Sequence, residues 1–212
     1  MADLTTRDTK LIQYLNEAYG KEKELETALT AHIGMTTRAA YKKRLQEHLR
    51  ETKAHARAVE RRIKQLGGKA DSGNVVTEVA SRATAAAKGP LHTIRGTGEQ
   101  EKMLKNAKTE YSEEHEEIAT YTAIETLAEA VGDADTAKVA RGIRREEERM
   151  ANYLARLIPS LTKAVTTAEI PAAERRTSTR RRAGSRARSR STTGARSRST
   201  RSPRSTAARR RG

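Results

Sequence analysis

The 212-residue chain contains no cysteine, no tryptophan and no phenylalanine, and it has only four prolines and six tyrosines. Without cysteine there is no disulfide, no thiolate zinc site and no cysteine nucleophile. Without Phe and Trp, a core has to be assembled from Ala, Leu, Ile, Val and Met. Long apolar runs are also missing. None spans a bilayer, and the opening stretch "MADLTTRDTKLIQYL" has no signal-peptide pattern, so a cytoplasmic protein without membrane contact is expected.

What is abundant is Ala, Glu, Lys, Arg and Leu, a composition that favours helix. The formal net charge is +16, but it is unevenly placed. Residues 172–212 hold 15 Arg, no Lys and one acid, Glu174, for a net +14, which leaves residues 1–171 at +2. A near-neutral domain over 1–171 and a basic tail over 172–212 are therefore expected.

Four segments carry helical apolar stripes. The first, about Thr9 to Ile33, has Leu11, Leu15, Ala18, Leu25, Leu29 and Ile33, with Gly34 as its stop. The second, about Arg38 to Leu66, has Tyr41, Leu45, Val59 and Ile63, with Thr37 as a cap and Gly67-Gly68 as its end. The third, about Glu99 to Val131, has Met103, Ala107, Tyr121, Ile124, Ala128 and Val131, and Gly132 stops it. The fourth is capped by Asp133 and runs to about Leu161 through Ala140, Ile143, Met150, Leu154 and Leu157, with Pro159 expected to kink or end it. Residues 69–98 form a connection longer than helix–helix loops usually are, with a short helix expected in "NVVTEVASRATAAAK". An all-α, antiparallel four-helix bundle with a crossover between helices 2 and 3 follows.

Polar residues interrupt each stripe near its midpoint. These are Glu22 in the first helix, His48, Glu51, Thr52 and His55 in the second, Glu110, Glu114 and Glu117 in the third, and Glu147 in the fourth. The stretch "EEHEEIATY", residues 113–121, is resolved by helical phase. Glu114 and Glu117 face inward with Tyr121, Glu113 and Glu116 face water, and His115 is at the margin; Glu110 is grouped with the solvated residues. At one depth in a bundle, Glu22, His48/Glu51/His55, Glu114/Glu117 and Glu147 should converge. Buried carboxylates without partners cost several kcal/mol each, and a pair of divalent ions, iron or manganese, removes that cost. Spacing alone does not choose between His48 and His55, and His32 and His92 read as ordinary.

The stretches "YGKEKELETAL", "EHLRETKAH", "EEHEEIATYTAIETLAEAVG" and "REEERMANYL" resemble the YciE/YciF-type family of bacterial ferritin-like stress-response proteins. The resemblance runs in order from residue 9 to about 161. It implies a ferritin- or rubrerythrin-like bundle, a di-iron centre and a homodimer; reaction of that centre with peroxide or oxygen is a separate expectation. The ligands it implies are Glu22, His48 with Glu51, Glu114, Glu117 and Glu147. His55, His115, Glu146 and Tyr121 are assigned as outer-sphere residues or alternative ligands. Arg50 stands where the family often has another glutamate, and Met150 stands where many ferritin relatives have histidine.

The tail is low-complexity Arg/Ser/Thr and is expected to be disordered when free. Its arginines are Arg175, Arg176, Arg180, Arg181, Arg182, Arg186, Arg188, Arg190, Arg196, Arg198, Arg201, Arg204, Arg209, Arg210 and Arg211. With no aromatic residue for stacking, the tail suits sequence-independent contact with DNA or RNA phosphates and a place at the nucleoid. Two functions follow as expectations. One is a redox-active di-metal protein tethered to nucleic acid. The other is a non-catalytic, nucleoid-associated structural protein.

Overall fold

The computed structural model describes residues 4–71 and 98–176. The expected helix within residues 74–88, His92 and all tail arginines beyond Arg176 lie outside the described residues.

Four helices make up the body: α1 (Thr6–Met35), α2 (Ala39–Gln65), α3 (Glu99–Ala130) and α4 (Ala134–Glu169). α1 starts three residues earlier than its apolar stripe suggests. The reason is a local cap, in which Asp8 N–H donates to Thr5 Oγ1 at 3.1 Å and the Thr5 hydroxyl donates to Asp8 at 2.6 Å. Gly34 does not stop the helix. It ends one residue later, where Thr36 donates its hydroxyl to His32 O at 2.7 Å and its N–H to Ile33 O at 3.4 Å, satisfying two terminal carbonyls. Thr37 does not cap α2. The N-cap is Arg38, and the Thr37 hydroxyl turns to Glu99 at the start of α3. Gly67 and Gly132 do end their helices, with φ of 85° and 72° in the left-handed region that only glycine adopts without strain.

Asp133 caps α4 as its sequence position suggests, accepting from Thr136 N–H at 3.0 Å. It also accepts two contacts from Arg62 at 2.7 and 2.8 Å, which ties the end of α2 to the α3–α4 corner. Pro159 does not end α4, which continues to Glu169. Proline removes one helical N–H, but Leu157 and Leu161 on either side are buried in the core and hold both turns in place.

Chain direction follows from the core contacts. One cluster joins Leu29 of α1, Tyr41 of α2, Met103 of α3 and Leu161 of α4. Another joins Leu15, Ile63, Ile124 and Ala140. The start of α1 therefore meets the ends of α2 and α3 and the start of α4. α1 pairs antiparallel with α2, and α3 with α4, while α2 and α3 run the same way. The end of α2 and the start of α3 therefore lie at opposite ends of the bundle, the arrangement the expected crossover requires. This up-down-down-up order leaves a layer between the two apolar clusters, and that layer is polar.

The described residues up to Ala168 form one compact unit, and Glu169 begins a second. Of the second unit, the described part closes α4 and then forms a 3-10 turn at Glu174–Arg176, in which Glu174 N–H donates to Pro171 O at 3.0 Å. Arg175 is exposed.

Candidate metal centre

All four helices deliver ionisable side chains to the mid-bundle layer. Glu22, His48, His55, Glu114, Glu117 and Glu147 are each no more than 4% exposed. Their positions follow from helical phase. His48 and His55 are seven residues apart on α2, which returns them to one face with ~10 Å of axial rise between them. Each ring therefore serves a different end of the layer.

Two groups result. The first is Glu22, His55 and Glu147, and the second is His48, Glu114 and Glu147; within each, one ligand atom per residue lies within 4.8 Å of the others. Glu147 belongs to both. Its Oε1 is 2.8 Å from His55 Nδ1 and its Oε2 is 3.8 Å from His48 Nε2. His48 Nε2 is also 2.9 Å from Glu114 Oε1, and His55 Nδ1 is 3.6 Å from Glu22 Oε1.

These short distances are not good hydrogen bonds. His48 Nε2, His55 Nδ1, both oxygens of Glu147 and one oxygen each of Glu22, Glu114 and Glu117 are buried with no aligned partner. Within the two groups, ligand atoms of this kind lie close enough together to share an ion. Four carboxylates among the six residues would carry four negative charges, which two divalent cations match. Carboxylate oxygen and imidazole nitrogen suit iron or manganese. The residues present thus fit a pair of such ions.

The protonation behaviour gives the same picture. Burial pushes the Glu22 and Glu114 carboxyls up to about 8, against the pull of the imidazoles. Glu117 is pushed well up, first by burial and then by the charges of Glu22, Glu147 and Glu114. Burial works against protonation of the histidines, but neighbouring carboxylates outweigh it. Glu114 and Glu51 hold His48 at about 10, and Glu147 and Glu22 hold His55 at about 9. For Glu147, burial is outweighed by the two imidazoles, and its carboxyl is held below the usual range.

Around this layer sit residues that orient it. Tyr121 OH donates to Glu22 Oε1 at 2.5 Å. Glu146 contacts His55 Nε2 at 2.9 Å, on the ring edge away from the cluster. Glu51, expected among the ligands, is instead on the Nδ1 side of His48 at 3.2 Å and is bound by Arg44 at 2.9 Å, so it belongs to neither group. The resemblance implied His48 with Glu51 as ligands, but Glu51 stands behind the ring, whereas His55, two turns on, takes the inward place. His115 is not near the layer. It is exposed, and its Nδ1 is 2.8 Å from Tyr111 O.

Glu110 is not solvated. It is 1% exposed, 2.6 Å from His32 Nδ1 and accepts from Tyr41 OH at 3.1 Å. Its spacing of four residues before Glu114, on the same face, was the available signal. Glu113 is half-buried, and burial raises its carboxyl to about 7.

Comparison with known proteins places this geometry in context. The family described as a domain of unknown function, DUF892, matches residues 6–167. A crystal structure of a protein from Xanthomonas campestris pv. campestris is similar at a TM-score of 0.63 and 24% identity, covering 77% of this chain and 99% of that one. The E. coli stress protein YciF is similar at a TM-score of 0.60 and 22% identity, covering 75% and 98%. YcfI, a putative structural protein from Rhodopseudomonas palustris, is similar at 0.60 and 21% identity, covering 72% and 95%. At these identities the likeness establishes a common fold.

Proposed function

We propose that this chain, which belongs to the DUF892 family, is a di-metal protein of the stress response that binds two iron or manganese ions in its mid-bundle layer. One observation carries the reading: two buried His/Glu groups have Glu147 in common. Glu22 and His55 would hold one ion and His48 and Glu114 the other, with Glu147 available to both and Glu117 beside them to complete the charge balance. A bound pair of iron ions supplies redox equivalents for reaction with peroxide or oxygen. The chain's own residues fix the donors. Tyr121 orients Glu22, Glu146 and Glu51 set the ring planes of His55 and His48, and the apolar clusters on either side exclude water.

The same proposal assigns the basic tail to nucleic acid. Its +14 charge is supplied by arginines alone, which favours phosphate contact over base readout. A cytoplasmic homodimer held near the nucleoid is consistent with this. No helix among the described residues is long and apolar enough to cross a membrane.

Elemental analysis of freshly purified protein is the direct test. About two iron or manganese ions per chain, absent from Glu147→Ala, is the expected result. The second reading is a structural, nucleoid-associated bundle, and the description of YcfI as a putative structural protein favours it. Metal-free protein that remains folded after Glu22→Ala and Glu147→Ala would decide for that reading.

A further inference from the structure

The layer is enclosed by core on both sides along the bundle, so an ion has to reach it between helices. One surface hollow, between α1 and α2, is lined by Tyr19, Lys23, Glu26, Lys53, Arg57 and Glu60 among others, and none of its lining belongs to the metal-binding layer. Another, between α2 and α4, has both His55 and Glu146 in its wall. It is wide because Ala54 and Ala58 on α2 and Gly142 on α4 present little or no side chain to it. At about 630 Å³ it exceeds the ~180 Å³ that six waters occupy, so a fully hydrated divalent ion fits. Its rim is mixed in charge: Arg61 and Lys138 stand against Asp135 and Glu146, and Arg62 is engaged by Asp133.

His55 stands between this groove and the layer. Its Nε2 meets Glu146 at 2.9 Å on the groove side, and its Nδ1 meets Glu147 at 2.8 Å on the inner side. The Glu146 side chain is 37% exposed, whereas that of Glu147 is fully buried. Adjacent residues on one helix differ by about 100° in direction. The two carboxylates therefore face the two sides of the same ring.

We infer that the α2–α4 groove is the loading route of the Glu22–His55–Glu147 group, and that Glu146 is the carboxylate that first takes the divalent cation. This rests on the metal-binding reading above. The oxygen of Glu146 that holds His55 Nε2 is the one nearest the path inward. When it turns to the cation, the ring loses its outer hydrogen bond and is free to swing aside. Glu147 and Glu22 would then take over the cation, and the returning ring would join them through Nδ1, giving up the proton on that nitrogen to water in the groove. Capture and gate opening are thus one event.

The test is stopped-flow loading of Co²⁺ into full-length, metal-free protein, read by Co²⁺ visible absorption, with final Co²⁺ per chain measured on the same samples. Glu146→Gln keeps an acceptor for His55 Nε2 and removes the charge. Gly142→Leu narrows the groove, and a Cβ at Gly142 meets nothing within 4 Å, so the fold has room for it. Both variants are expected to load on the order of tenfold more slowly than wild type, with unchanged final stoichiometry, while Glu60→Gln in the other hollow loads at the wild-type rate. Unchanged rates in both groove variants, or equal slowing by Glu60→Gln, overturn the route. Wild-type protein that takes up no Co²⁺ at equilibrium sinks the metal-binding reading instead.

Discussion

His55 Nδ1 and Glu147 Oε1 stand 2.8 Å apart in the fully buried centre of the bundle, on α2 and α4, without an aligned hydrogen bond between them. A ring nitrogen and a carboxylate that are close but misaligned are two donors set toward a third partner. Because Glu147 also reaches the His48 group, it is the residue shared by both groups that could hold a metal.

Substitutions should therefore divide by position. Glu147→Ala should take metal content from about two ions per chain toward none, because it removes a ligand from both groups. Glu22→Ala and Glu114→Ala should each cost mainly one ion. Elemental analysis with a chelator-washed control measures this. Equal metal content in Glu147→Ala and wild type would contradict the bridging role.

The pH dependence has a definite sign. Glu22 and Glu114 are raised to about 8, and His48 and His55 to about 10 and 9. Groups raised in the fold bind more protons there than in the unfolded chain. Their stabilising contribution is complete below the unfolded values and is lost as pH rises through the folded ones. Metal-free protein should thus lose stability from about pH 5 upward to about pH 10; Glu147, held low, opposes this in part. Divalent cations replace the protons, so Mn²⁺ should raise Tm more at about pH 8.5 than at about pH 6. Calorimetry at both pH values checks it, and an identical Mn²⁺ shift would count against a carboxylate–imidazole site.

Asp133 is a separate stability element. Its carboxyl is held below the usual range, where burial is outweighed by the Thr136 N–H and the Arg62 guanidinium. A depressed carboxyl stabilises above its unfolded value and loses that contribution as pH falls through the folded one. Asp133→Ala should cost about 1–3 kcal/mol at neutral pH, through loss of a helix cap and of the Arg62 ion pair, while Arg62 keeps its hydrogen bonds to Thr136 and Gln65. The difference from wild type should shrink below about pH 4. Urea unfolding across that range reads it out, and a pH-independent difference would exclude the charge contribution.

A chain ending at Pro171 tests the tail. It should lose DNA and RNA affinity at low salt while keeping its metal content. For the full chain, log affinity should fall with log salt at about −0.9 per phosphate neutralised on duplex DNA. Equal affinity of the two chains at low salt would remove the nucleic-acid assignment.

Much of the centre is legible in the amino-acid pattern alone. The apolar stripes set which faces turn inward, and breaks at matching depth pick out Glu22, Glu114 and Glu147 of the two groups, with Glu117 buried in the same layer but in neither group. The pattern misleads where helical phase is not enough. Glu110 lies on the inward face, but a single glutamate on a helix gives no hint of His32 and Tyr41 waiting on other helices. Glu51 and His115 lie near the edge of that face, where a few degrees of rotation decide between layer and surface.

The sequence by itself determined the four helices, the crossover length, the absence of thiol chemistry and the separation of an arginine tail from a near-neutral body. These are set by local periodicity, composition and chain length, all of which are properties of neighbouring residues. Only the tertiary structure decided that both His48 and His55 reach the layer, that Glu147 is shared, and that Glu51 stands behind a ring. It also decided that α4 runs through Pro159. Each of these depends on the relative rotation and register of helices far apart in the chain. That is fixed by packing Leu, Ile and Met side chains across the bundle, and no spacing within a single helix encodes it.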